Sequence, residues 1–266
     1  MLCIASTLIF SINLPAQTDC NAGTGPLRQV EPTSISAVEI IKRFSALEKL
    51  FKEEQTHYTY AMEVSVQTME GQVPDGEFRR VSQISYAQGK RLESVLFAPQ
   101  STLTRISLTK EDFDDIDNRS PFVLTPEDLP QYDVEYVGLQ KVDLLETYVF
   151  EVAPKHLEKG KRYFQGKVWV DSKDLAVVKS CGKNVPDQVE PVKKKKHRPV
   201  QQNVAPTFVT YREQFEEKYW FPTYVRADES LSLLFGDSGH VREVIKYTRY
   251  KRADSNPSTI SNAASK

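Results

Sequence analysis

The rhythm of apolar residues along this chain changes once. From roughly Ser34 to Glu54, Ala37, Val38, Ile41, Phe44, Leu47, Leu50 and Phe51 recur at spacings of three and four, which predicts one amphipathic helix. Ser36 and Glu39 form a capping-box pair at its start, and Lys42, Glu48, Lys49 and Glu53 are assigned to the face turned away from the stripe. Beyond it the period drops to two. Tyr58, Tyr60, Met62, Val64 and Val66 alternate with Glu63, Ser65 and Gln67, the pattern of a half-buried strand. Further strands are expected at Phe78–Tyr86, Lys90–Phe97, Thr102–Leu108, Tyr132–Leu139, Glu146–Val152, Arg162–Asp171, Ala176–Cys181, Phe208–Phe215, Tyr219–Ala227, Leu231–Phe235 and Val241–Tyr250. Hairpin-length turns such as Pro74-Asp75-Gly76 and Gln88-Gly89 make most of them antiparallel. Lys110–Asp117 interrupts the series as a short helix, followed by a loop carrying Pro121, Pro126 and Pro130.

Several strands are apolar on both faces. In Tyr163–Val170, Phe164, Gly166, Val168 and Val170 share one face while Tyr163 and Trp169 occupy the other. A flat sheet with one wet side has no use for that pattern. The expected fold is therefore α+β: a curved antiparallel half-barrel of about eleven strands, covered by the N-terminal helix and a short lid helix. Such a concavity is either a solid core or an apolar cavity, and the pattern alone leaves both open.

The termini change the picture. Leu2–Leu14 is an apolar run of signal-peptide length, too short to span a membrane, and Pro15-Ala16 offers a cleavage point near Gln17. We read residues 1–17 as a cleaved signal peptide, 18–33 as a flexible leader, 34–252 as the domain and 253–266 as a disordered tail, with a basic, proline-containing insertion at 183–206. Once Cys3 leaves with the signal, Cys20 and Cys181 remain; they pair in an oxidising compartment or stay as two thiols. With 35 basic against 36 acidic groups, nothing demands a nucleic-acid partner, and none is expected.

Candidate chemistry is sparse. Asp112, Asp114, Asp115 and Asp117 lack the glycine and distal glutamate of a calcium loop and read as a solvated helix face. Lys193–Arg198 (KKKKHR) reads as an exposed loop, or as a contact for anionic lipid headgroups. The four histidines, His57, His156, His197 and His240, have no serine or cysteine in a triad-like arrangement. Glu77, Glu93 and Glu151 lie on strands and could supply a carboxylate pair only if the fold brings them together. No catalytic residue, metal or cofactor is expected.

The order of helix, hairpin strands and proline loop resembles the LolA/LolB-type lipoprotein carrier superfamily. So do the blocks Thr147-Tyr148-Val149-Phe150-Glu151-Val152, Tyr163–Asp171, Tyr211–Tyr224 and Ile245–Tyr250. The resemblance spans roughly residues 34–252 and rests on architecture, since this superfamily has no catalytic fingerprint. It implies a periplasmic carrier involved in outer-membrane lipoprotein sorting, holding lipid or lipoprotein acyl chains in the half-barrel. Each buried methylene would contribute about 0.8 kcal/mol to such binding. Its expected lining is Ile41 and Phe44 from the helix, with Met62, Val64, Phe97, Phe150, Phe164, Val168 and Leu233 from strands. Transient contact with a membrane surface or envelope proteins would accompany transfer. An envelope sensor or adaptor that uses the same fold to hold a protein partner is the alternative.

Overall fold

A computed structural model describes residues 17–108, 110, 112–113, 116, 123–186, 206–232 and 238–253. Residues 1–16, 187–205 and 254–266, where most of the expected signal peptide, much of the basic insertion and the expected tail fall, lie outside the described residues. The helix α1 spans Ala37–Glu54. Ser36 caps it by accepting from the Glu39 amide at 3.3 Å, but the Glu39 carboxylate turns to Arg43 (2.7 Å) instead of completing the capping box. The ten strands are β1 (Tyr58–Glu70), β2 (Val73–Ala87), β3 (Lys90–Phe97), β4 (Tyr132–Val142), β5 (Leu145–Pro154), β6 (Tyr163–Asp171), β7 (Val177–Val185), β8 (Phe208–Phe215), β9 (Tyr219–Ser232) and β10 (Ser238–Arg252).

All ten form one open antiparallel sheet in the order β3-β2-β1-β10-β9-β8-β7-β6-β5-β4, a framework consistent with a curved half-barrel. The first and last strands meet inside it, with Met62 opposite Tyr247 and Val64 opposite Ile245. Because β3 and β4 are consecutive in sequence yet form opposite edges, the intervening segment must travel the width of the sheet. It crosses the face that α1 covers, where Ile116 and Leu124 are buried and Ile106, Leu108 and Leu129 pack against the core.

Three expectations are corrected. Among the described residues the strands number ten, and Thr102–Leu108 is not one of them but irregular. This segment hydrogen-bonds the sheet around Glu77, whose backbone exchanges bonds with Thr102, and Arg105 is spent on Asp75 (2.5 Å) and the Met69 carbonyl (2.9 Å). Leu231 and Ser232 belong to β9, and the rest of the strand expected there lies outside the described residues. In α1 the buried row runs Ile40, Phe44, Glu48, Phe51, so Val38 and Leu50 are exposed and Glu48, assigned to the outer face, is inside. Of the lid helix, Lys110, Asp112, Phe113 and Ile116 are helical, and the remaining positions lie outside the described residues.

The leader from Gln17 is fastened to the sheet. Cys20 is disulfide-bonded to Cys181 on β7, closing a separation of 161 residues. Thr18 Oγ1 donates to the Thr207 carbonyl (2.6 Å), and Gly25 and Arg28 bond to Lys141 and Leu139 along the outer edge of β4. A Cβ on Gly138 would lie 2.4 Å from the Arg28 carbonyl oxygen, and its φ of +144° suits only glycine, so this residue is what lets the leader approach. The leader thus straps the face opposite α1, over a second cluster of Val149, Trp169, Val178, Cys181 and Val209.

Candidate functional site

The face beneath α1 gathers most of the residues that the sequence nominates. Phe44, Met62, Val64, Phe150, Phe164 and Val168 belong to one buried cluster, and Ile41 packs at its border. The rings of Phe44 and Phe150 lie 5.5 Å apart, and Tyr136 meets Phe150 at the same distance. Phe97 does not join them. It stands at the end of β3 with half of its surface exposed. Leu233 lies outside the described residues.

Phe44, Val64, Phe150 and Val168 have no surface that water can touch. Space large enough for a water molecule therefore does not abut these four side chains. An acyl chain could reach them only if α1 or the crossover from β3 to β4 moved aside. Nor is the face apolar throughout. Toward β3, Glu93 accepts from Ser82 Oγ (2.6 Å) and Arg91 (3.2 Å) and pairs with Arg80 (3.4 Å), while Arg91 also reaches the Met62 sulfur at 3.6 Å. A charged group beside Met62 is poorly suited to a wall for hydrocarbon.

The attachment of α1 is polar at one point. Glu48 accepts a bidentate pair of bonds from Arg212 on β8, at 2.6 and 2.9 Å, with side chains only 2% and 3% exposed. Arg212 also lies over the Phe51 ring at 4.6 Å. Burial pushes the Glu48 carboxyl up and the guanidinium pulls it back down. Since arginine cannot shed its charge in a protein, the ion pair is the form that leaves neither partner orphaned. Beside this pair opens a pocket of about 340 Å³ lined by Leu47, Leu50, Phe51, Ala176, Tyr219 and Trp220 among others. None of the nominated lining residues borders it. Sequence reasoning missed Glu48 and Arg212, although Glu48 lies four residues beyond Phe44 on the same helical row.

The remaining sequence candidates do not converge. Glu93 faces α1, whereas Glu77 accepts from Ser65 and Gln67 and Glu151 pairs with Lys167, both on the opposite face. His240 meets Asp228 and no nucleophile. Among the described residues no group of three His, Cys, Asp or Glu side chains could hold a metal. No described helix is long and apolar enough to cross a membrane.

The two sheet edges differ. The outer side of β4 is partnered by the leader at Thr24 and Arg28. Among the described residues no strand lies beyond β3, and Leu92, Val95, Leu96 and Phe97 on it are all at least half exposed. Lys90, Arg91 and Arg79 flank them, with the Arg79 guanidinium 5.8 Å above the Phe97 ring.

No family model and no curated protein matches this chain. Among solved structures it is similar to a LolA superfamily protein from Nitrosomonas europaea, with 11% identity and a TM-score of 0.37 over 83% of this chain and 95% of that one. It is also similar to a DUF1329 family protein from Desulfovibrio piger, with 15% identity and a TM-score of 0.39 over 81% of this chain and 94% of that one.

Proposed function

We propose that this protein is a non-catalytic binding module of the periplasm that takes hold of a partner protein by adding an extended segment of it to the β3 edge. The observation that carries the reading is the asymmetry of the edges. The leader covers β4, whereas among the described residues no strand pairs with the outer side of β3, where four large apolar side chains are at least half exposed. An exposed apolar edge strand is a standing hazard of aggregation, and proteins usually blunt it. Strand addition uses such an edge: the backbone supplies affinity and alternate side chains supply selectivity. Of the basic residues beside this one, Arg91 pairs with Glu93 and Arg79 with Glu63, so it is Lys90 that favours a segment in which apolar residues alternate with acidic ones. The export compartment rests on the apolar run at Leu2–Leu14 and on the Cys20–Cys181 bond.

The test is selection of extended peptides from a displayed library against the mature protein, repeated with Val95→Pro, which removes one backbone donor from the edge. Alternating apolar and acidic sequences should be enriched, and the proline variant should lose them. Enrichment of nothing, or binding indifferent to Val95→Pro, would sink the reading.

A second reading, acyl-chain carriage, is favoured by the extent of the apolar face, which runs from Ile84 on β2 to Phe150 on β5 beneath covers that are not part of the sheet. It requires those covers to lift. Native mass spectrometry after detergent-free purification decides it: a co-purifying lipid that Phe150→Asp abolishes supports carriage, and a ligand-free protein refutes it.

A further inference from the structure

On the strapped face, far from the β3 edge, a pocket of about 340 Å³ is bordered by Gln17, Thr18, Gln72, Tyr224, Arg226 and Arg242. Its organising group is Asp228, which is buried to within 6%. Arg226 stands two residues before Asp228 on the same face of β9, and Arg242 on β10 is directly opposite it. Both guanidinium groups donate to this one carboxylate through Nε, Arg242 at 2.8 Å, and His240 adds a third contact at 2.9 Å. The Asp228 amide is in turn fixed by Thr18 Oγ1 at 2.9 Å.

One carboxylate needs one guanidinium for charge balance. Here it holds two, each by the single inner N–H. The outer forks of Arg242 have no partner among the described residues, and Arg226 has only Tyr224 beside it. Asp19 also borders the pocket, so two guanidinium groups face two carboxylates there, and fork geometry, not surplus charge, is what would select an oxyanion. Two planar forks held side by side match the oxygen geometry of a carboxylate or a phosphate. Asp228 acts as a positioning residue, because tying down Nε on both arginines leaves their outer nitrogens directed at the concavity.

We infer that this pocket binds a small oxyanion-bearing molecule, a carboxylate or phosphate, between the forks of Arg226 and Arg242. The inference is independent of the partner-binding edge. It is tested on the intact mature protein by titrating inorganic phosphate and, separately, succinate at constant ionic strength, and reading the side-chain Nε–Hε resonances of both arginines. A saturable shift of both is expected, with Arg226→Lys weakening binding about tenfold, because the charge stays and the fork is lost. Arg79→Gln, a surface arginine near the β3 edge, should bind like the parent. Phosphate without succinate, or the reverse, identifies the oxyanion. Shifts that track ionic strength alone, or that are unchanged in Arg226→Lys, would overturn the site. Backbone spectra of each variant show whether it has kept its fold, so loss of structure is not mistaken for loss of the pocket.

Discussion

Replacing Glu48 by leucine removes one half of a buried ion pair and strands the other. Both side chains are out of water, and the carboxylate takes two bonds from the Arg212 fork at 2.6 and 2.9 Å. With the acid gone, a guanidinium that cannot neutralise itself stays in the core with fewer acceptors. Breaking such a pair costs about 3–5 kcal/mol, a large part of the roughly 5–15 kcal/mol by which a domain is stable. Arg212→Met, which buries an unpaired carboxylate, should fall in the same range. The double variant Glu48→Leu with Arg212→Met is the discriminating one. It exchanges the pair for apolar side chains of similar length that can still cover Phe51, and should sit within about 1 kcal/mol of the parent. Urea unfolding followed by the fluorescence of Trp169 and Trp220 measures all three, and a loss of this size moves the midpoint by about 1 M or more. Single variants costing less than about 1 kcal/mol, or a double variant costing the sum of the two, would refute the reasoning.

Three further outcomes follow from the packing. Reducing Cys20–Cys181, which spans 161 residues, should lower stability by up to about 5 kcal/mol in the chain-entropy limit and open the leader to protease, as limited digestion with and without reductant will show. Burial pushes the Lys179 amine down to about 8, against an ordinary 10.5. Between those values the unfolded chain holds the extra proton, so stability rises with pH there, by at most about 3 kcal/mol, and below pH 8 the gain is absent. Lys179→Met should lack that rise in pH-dependent urea unfolding. Gly166→Ala should cost about 2–3 kcal/mol or abolish folding, since its Cβ would stand 2.2 Å from the Cys181 carbonyl oxygen where β6 and β7 close on each other; thermal unfolding reads the change.

Local pattern carried much of this architecture. The alternation from Tyr58 to Val66 is strand β1 itself, and Ser36 caps the helix where it was expected to. What the sequence hid were relations between distant residues. Thr102–Leu108 alternates well enough for a strand, but it is engaged instead at Glu77, Asp75 and the Met69 carbonyl and joins no ladder. Glu48 looked like a surface charge until Arg212, 164 residues away, supplied its partner. Asp228 and its arginines are unremarkable as separate letters and form a cluster only once β9 and β10 lie in register. Of the nominated lining, Phe97 lies apart from the buried cluster because a register shift in β2–β3 sets it opposite Val81 and beneath Arg79, on the other face. Cys20 looked loosely held because a leader without periodicity gives no hint that it will be strapped across β7.

The seam between β1 and β10 sets a timetable for the molecule. Strands β1–β3 are made early and β4–β9 follow, yet these two groups touch in the sheet only through the last strand to be synthesised. Without β10 the sheet is two partial sheets, linked only outside their ladders by the leader and α1. Maturation is therefore an all-at-the-end event, slow by virtue of its long-range pairing. A chain stopped ahead of Ser238 would leave β1 and β9 without the strand that joins them in the sheet.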